Sequence, residues 1–157
     1  MNMPADTSET VEFRLATEAD AGPLKNFIRS YCEFDHIPFD AKKIGSSLRI
    51  LIEDGTVGRA WLVCRNNRPI GYMIVVFWFD LEFGGRCALL TDVYLEPAHR
   101  RRGLGRKMLQ HVEDFCRNSG IGVLELQVQQ SNTAALSFYE ACGFQAHDRV
   151  PMSKRLV

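Results

Sequence analysis

Arg100-Arg101-Arg102-Gly103-Leu104-Gly105 stands between an apolar, strand-like run and an amphipathic stretch at helical spacing. Two glycines just before a helix let the backbone pass close to a ligand and turn its N–H groups outward. The helix that follows leaves its first donors unsatisfied and carries partial positive charge at its N-terminus. With three arginines on the approach, the stretch has the makings of a pocket for a di- or polyphosphate. The plainer reading is a solvated basic turn that caps an ordinary helix.

Working outward from that turn, residues 87–95 read as a strand that Pro97 stops. A helix is expected over 104–117, with Leu104, Met108, Leu109, Val112, Phe115 and Cys116 on one side, and Ser119-Gly120 ends it. Alternation over 123–128 gives a strand, with Glu125 on one face and Leu124 and Leu126 on the other. This strand–helix–strand unit implies a parallel pair with a right-handed crossover. Upstream, 60–64 and 70–79 form a β-hairpin around Asn66-Asn67-Arg68-Pro69, and 81–85 is a second turn. Residues 11–15 read as a short strand. Thr17 and Asp20 have the form of a capping box for a helix over 19–31. A loop from Glu33 to Asp40 carries Glu33, Asp35, His36 and Asp40, and a second helix covers 41–52. Downstream, Ser131-Asn132-Thr133 supplies an N-cap for a short helix over 134–141, and 144–154 should add a last strand or two. The expected fold is α/β, with a mixed, mostly antiparallel central sheet and about four helices.

The chain has 157 residues, which suggests one domain over 11–157 behind a flexible tail, 1–10. Nineteen basic residues balance nineteen acidic ones, and a net charge of zero argues against a general nucleic-acid binder. The arginine cluster is thus a local feature suited to one small anion. Five widely spaced cysteines without Cys-x-x-Cys read as reduced thiols of a cytoplasmic protein. The histidines show no zinc pairing, so no metal is expected. The longest apolar run, 70–79, is too short to cross a bilayer, and no membrane partner is expected.

In these motifs the chain resembles the GCN5-related N-acetyltransferases, the GNAT superfamily. That family's cofactor signature, Gln/Arg-x-x-Gly-x-Gly/Ala, is matched by residues 100–105. The preceding strand, Leu90 to Pro97, and the stretch from Asn132 through Phe138, Tyr139 and Gly143 to Phe144 are also similar to the family's. The resemblance implies acetyl transfer from acetyl-CoA to a primary amine, with acetyl-CoA lying where the sheet splays between its fourth and fifth strands. It further implies that the backbone of Val93, Tyr94 and Leu95 pairs with the pantetheine arm beside a bulge near Val93. Arg100, Arg101, Arg102, Gly103, Leu104, Gly105 and Arg106 would hold the pyrophosphate, and Asn132 would touch the cofactor arm. Tyr139 would face the sulfur, and a homodimer would be in keeping with the family.

Transfer from a thioester to an amine needs a neutral nitrogen, yet a lysine-type amine has a pKa near ~10.4. The developing oxyanion needs donors, which backbone N–H groups near Val93 or Leu95 could supply. The departing thiolate benefits from a proton, which the Tyr139 phenol can donate; a core aromatic is the plainer role. Asp92 is the best candidate base, because a carboxylate in an apolar strand is costly to bury without a purpose. Glu82, Glu125 or a water chain are alternatives to it. The loop with Glu33, Asp35 and Asp40 either attracts a cationic acceptor or is simply solvated. The expected acceptor is a small or polyamine-like amine, or a protein amine, reached by direct transfer in a ternary complex. The rival readings are a non-catalytic acyl-CoA sensor of the same fold and a nucleotide-binding domain, whose glycine motifs are absent from the chain.

Overall fold

The computed structural model describes residues 10–156. They fall into two compact units that divide between Gln127 and Val128. The expected tail over 1–10 lies outside the described residues except for Thr10, whose carbonyl accepts from the Asn66 N–H at 3.2 Å.

The first unit is a five-stranded open sheet in sequence order: β1 (Val11–Leu15), β2 (Gly58–Arg65), β3 (Arg68–Asp80), β4 (Gly85–Leu95) and β5 (Val123–Leu126). The first four strands are antiparallel, and β4 and β5 are parallel. The mixed sheet expected from the sequence is therefore present. Helices α1 (Ala21–Phe34) and α2 (Ala41–Glu53) cover one face, and α3 (Leu104–Asn118) covers the other. On the first face Leu24, Ile28 and Cys32 of α1 meet Leu62, Tyr72, Ile74 and Tyr94 of the strands. On the second, His111 and Phe115 of α3 pack their rings on Phe13, Trp61 and Phe77.

Local chemistry explains each boundary. The Thr17 N–H and hydroxyl both donate to the Asp20 carboxylate at 2.8 Å, and the Arg14 guanidinium grips the same carboxylate at 2.7 and 2.9 Å. This fixes the entry to α1 after a 3-10 turn over Glu18–Asp20. The helix runs three residues past its expected end. His36 adopts φ 55°, and the Ile37 N–H bonds the Cys32 carbonyl at 2.8 Å, so a histidine fills the left-handed position that glycine usually takes. Asp40 caps α2 by accepting from the N–H groups of Lys42 and Lys43. The β2–β3 turn is only Asn66-Asn67, both at positive φ as a two-residue hairpin turn requires. Pro69 is taken into β3 at a register shift opposite Cys64, where its missing donor is tolerated.

The second unit holds α4 (Thr133–Ala141), which Gly143 closes at φ 94°. The expected last strands over 144–154 are not formed among the described residues. Pro151 removes a ladder donor, and the apolar side chains there are exposed, Val150 at 79% and Met152 at 92%. The strand expected over 123–128 also stops early, at Leu126.

Candidate active site

The centre of the site is a fault in β4. Ile74 pairs with Asp92 while the next residue, Val75, pairs with Leu90, so Thr91 is an extra residue with no opposite number. This is a β-bulge, two residues before the expected position at Val93. The Thr91 hydroxyl donates to the Ile74 carbonyl at 3.3 Å and fastens it. Directly opposed residues of antiparallel strands share a face. Asp92 therefore lies with Ile74 and Tyr94 on the α1–α2 face, and Leu90 lies with Val75 on the α3 face. Simple alternation, which puts Leu90 and Asp92 together, is corrected by the bulge.

Asp92 is half-buried under α1. Burial first, and then the charge of Asp35, push its carboxyl up to about 6. Around it stand Tyr31 and Cys32 of α1, Asp35 just past the end of that helix, and Tyr72 of β3, each acting electrostatically on it or on its neighbours. The rings of Phe27, Tyr72 and Tyr94 form a triangle with centroids 6.0 to 6.3 Å apart. Of the alternative bases, Glu82 is exposed in the β3–β4 turn, and Glu125 lies on β5 opposite Leu89, on the far side of the bulge.

A second feature is an open edge. Pairing with β5 ends at Leu90 and Leu126, and β4 continues for five residues while still bonded to β3. The Glu96 N–H donates to the Ile70 carbonyl at 2.9 Å, and a Cβ on Gly71 would collide with the Tyr94 carbonyl. Backbone groups of Tyr94 and Glu96 thus point to β3. Those of Val93 and Leu95, one residue out of phase, point to the open edge. Tyr94 contributes its ring to the opposite layer instead. Arg100, the first residue of the Arg-Arg-Arg-Gly-Leu-Gly turn, folds back on β4: its Nε donates to the Leu95 carbonyl at 2.8 Å, and its guanidinium lies 4.9 Å from the Phe34 ring and 5.4 Å from the Tyr94 ring.

The third feature is the turn itself. Arg101 at φ 59° and Gly103 at φ 74° both adopt left-handed backbone, and Gly103 is the N-cap of α3. Among the described residues no side-chain hydrogen bond caps this helix, so its first N–H groups, from Gly103 to Arg106, have no intrahelical partner. Leu104 is buried and anchors the turn, while Arg101, Arg102 and Arg106 are exposed.

In the second unit, the Asn132 Oδ1 caps α4 by accepting from the Ala135 N–H at 3.1 Å. Tyr139 is half-buried between Phe138 and Phe144, with centroids at 5.2 and 5.7 Å. Burial, and then Cys142, raise its phenol, so it stays protonated at neutral pH. Among the described residues no His, Cys, Asp or Glu group could hold a metal, and no helix is long and apolar enough to cross a membrane. Tyr72 and Tyr31, beside Asp92 in the structure, stand out little in the sequence: one lies inside the apolar 70–79 run and the other on the apolar stripe of α1.

The model of the acetyltransferase (GNAT) family matches residues 25–144. Over 148 residues the chain is 26% identical to thialysine N-epsilon-acetyltransferase of Mus musculus, covering 87% of this chain and 85% of that one. A shorter stretch of 57 residues is 40% identical to the ribosomal protein bS18-alanine N-acetyltransferase of Escherichia coli K12, covering 36% and 38% of the two chains. The fold superposes on aminoglycoside N-acetyltransferase AAC(6')-Iy, solved in complex with CoA, with a TM-score of 0.83 at 13% identity over 97% and 99% of the chains. The chain belongs to the GNAT acetyltransferase family. It is an acetyl-CoA-dependent N-acetyltransferase.

Proposed function

We propose that the chain acetylates a primary amine by direct transfer in a ternary complex, with Asp92 as the base. The observation that carries this reading is the bulge at Thr91, which sets a carboxyl with a pKa near neutrality beside an unpaired strand edge. Asp92 takes the proton from the incoming nitrogen as the N–C bond forms. The Val93 and Leu95 N–H groups, both directed to the open edge, hold the pantetheine arm and donate to the developing oxyanion. The N–H groups of 101–106 take the pyrophosphate, and Asn132, through its remaining amide, contacts the cofactor arm. As the C–S bond breaks, Tyr139 protonates the departing thiolate. Acetyl-CoA supplies the activated acetyl group; binding, orientation and proton movement fall to the chain.

The relatives favour an amine acceptor, since one is a thialysine N-epsilon-acetyltransferase and another acetylates the alanine of a ribosomal protein. The test is acetyl-CoA turnover against a panel of small amines and peptides, read as released thiol. Turnover with at least one amine is expected. Binding of acetyl-CoA with no turnover on any amine would leave the acyl-CoA sensor as the better reading.

A further inference from the structure

The α1–α2 face of β4 carries more polar chemistry than the removal of one proton requires. The Tyr72 side chain is fully buried, yet its hydroxyl has no hydrogen-bond partner among the described residues. Buried polar groups are almost always paired, because an unpaired one forfeits its hydration without return. Tyr72 lies directly opposite Tyr94 and one same-face pair from Asp92, and after burial the Asp92 charge is the largest influence that raises its phenol. The hydroxyl is thus aimed into the same small region as the carboxyl.

A second carboxylate closes that region. Asp35 follows Tyr31 by one helical turn, with its N–H on the Tyr31 carbonyl at 3.0 Å, and the Tyr31 phenol shares a hydrogen bond with the Asp35 side chain. Asp35 is only half-buried and stands at the outer end of the cluster, where α1 ends. Like charges held near one another in a partly desolvated site repel, and an opposite charge relieves them. No lysine or arginine among the described residues pairs with Asp35 or Asp92. Arg100 has its Nε on the Leu95 carbonyl and its guanidinium over the Phe34 and Tyr94 rings, and it has no part in the shift of the Asp92 carboxyl. The triangle of Phe27, Tyr72 and Tyr94 backs the region with aromatic surface, which suits methylene groups and cations.

We propose that the acceptor is an aliphatic amine bearing a second cationic group. Its reacting nitrogen is held between the Asp92 carboxylate and the Tyr72 hydroxyl, and its distal cation by Asp35 and Tyr31 at the end of α1. The inference rests on the amine-acetylating reading above and names the substrate class for that site.

The experiment compares kcat/KM for putrescine, for pentylamine, in which a methyl group replaces the second ammonium, and for aminovalerate, in which a carboxylate does. Putrescine is expected to exceed pentylamine by about ten-fold or more, the scale of one charge-assisted interaction, with aminovalerate the poorest. Asp35→Asn should bring the putrescine-to-pentylamine ratio close to unity. Tyr72→Phe should raise KM for putrescine several-fold while leaving Tm unchanged or higher, since it removes an unsatisfied group from the folded chain. A purely structural hydroxyl would leave KM alone. Equal turnover of putrescine and pentylamine, or a ratio that survives Asp35→Asn, overturns the diamine reading and leaves amine acetylation standing. Failure to acetylate any amine overturns both.

Discussion

Leu90 and Asp92 have a single residue between them on one strand, yet they point to opposite faces of the sheet, because Thr91 is bulged out of the ladder. Leu90 is spent on the α3 core, and Asp92 is delivered to the α1–α2 face. A carboxyl left in the α3 layer would face Leu104, Met108 and Val112, which are fully or almost fully buried. The bulge therefore decides whether the acid is a packing defect or a reactive group.

Asp92→Asn should separate stability from activity. The folded-state pKa of Asp92 lies above its ordinary value, near 6. The protonated form is thus favoured by folding, and this contribution is present in full below about pH 4 and lost as pH rises through about 6. At pH 7 the ionised carboxyl is a cost on the order of 2 kcal/mol, so the amide variant should melt higher. Its kcat/KM should fall by about a hundred-fold, the usual worth of a positioned base. The wild-type pH–rate profile should rise through about pH 6, and the variant should lack that limb. An unaltered profile in Asp92→Asn would remove Asp92 from the chemistry.

Gly103 is required by its backbone angle and not by crowding, since a Cβ there meets nothing within 4 Å. At φ 74° a β-branched residue is strained by about 1–2 kcal/mol or more, whereas asparagine tolerates the region. Gly103→Val should therefore weaken CoA binding more than Arg102→Ala does, and Gly103→Asn should retain most of it. Calorimetry with CoA ranks the three. If Arg102→Ala proves the worst, side-chain charge, and not the backbone amides, governs phosphate binding.

Tyr139→Phe keeps the ring that packs between Phe138 and Phe144 and removes only the phenol. Turnover should drop by roughly ten- to a hundred-fold, with acetyl-CoA affinity within a few-fold of wild type. A larger loss of affinity than of kcat, measured by single-turnover kinetics, would reassign the phenol to binding.

Acid should unfold the protein in two stages. His111 is half-buried against Phe13 and Trp61, its Nε2 has no hydrogen-bond partner among the described residues, and burial lowers its pKa against a smaller opposing effect of Asp114. Its contribution is present above the ordinary histidine pKa of about 6.5 and is lost as pH falls through the lower folded value. Asp20, held well below the usual carboxylate range by Arg14 and Thr17, adds stability that survives until pH falls past about 4. His111→Phe should flatten the first loss of Tm, and Asp20→Asn the second.

Much of this architecture was legible in the chain because it is local. The 3.6-residue stripe of α3, the Asn66-Asn67 turn and the Gly103 turn each announce themselves within a dozen residues. What escaped was set by unusual backbone or by distant partners. A histidine at φ 55° let α1 run to Phe34, and no propensity scale expects it there. The bulge at Thr91 breaks the alternation by which strand faces are counted, so Asp92 could be nominated but not oriented. Asp35 was legible in its acidic loop as a residue that could draw a cation, but Tyr72 and Asp92 come onto one face only when β3 and β4 pair across the bulge, which periodicity does not record. The 144–154 segment misled because Val150 and Met152 are spaced like one face of a strand but stand exposed.

The unpaired stretch of β4 also bears on how such a chain diversifies. Its outward groups at Val93 and Leu95 are peptide amides and carbonyls, common to every amino acid, so point mutation hardly edits them. The opposite layer, with Asp35, Tyr72 and Asp92, is written wholly in side chains. On the function proposed above, drift can rewrite which amine is acetylated, codon by codon, without disturbing how the acetyl donor is held.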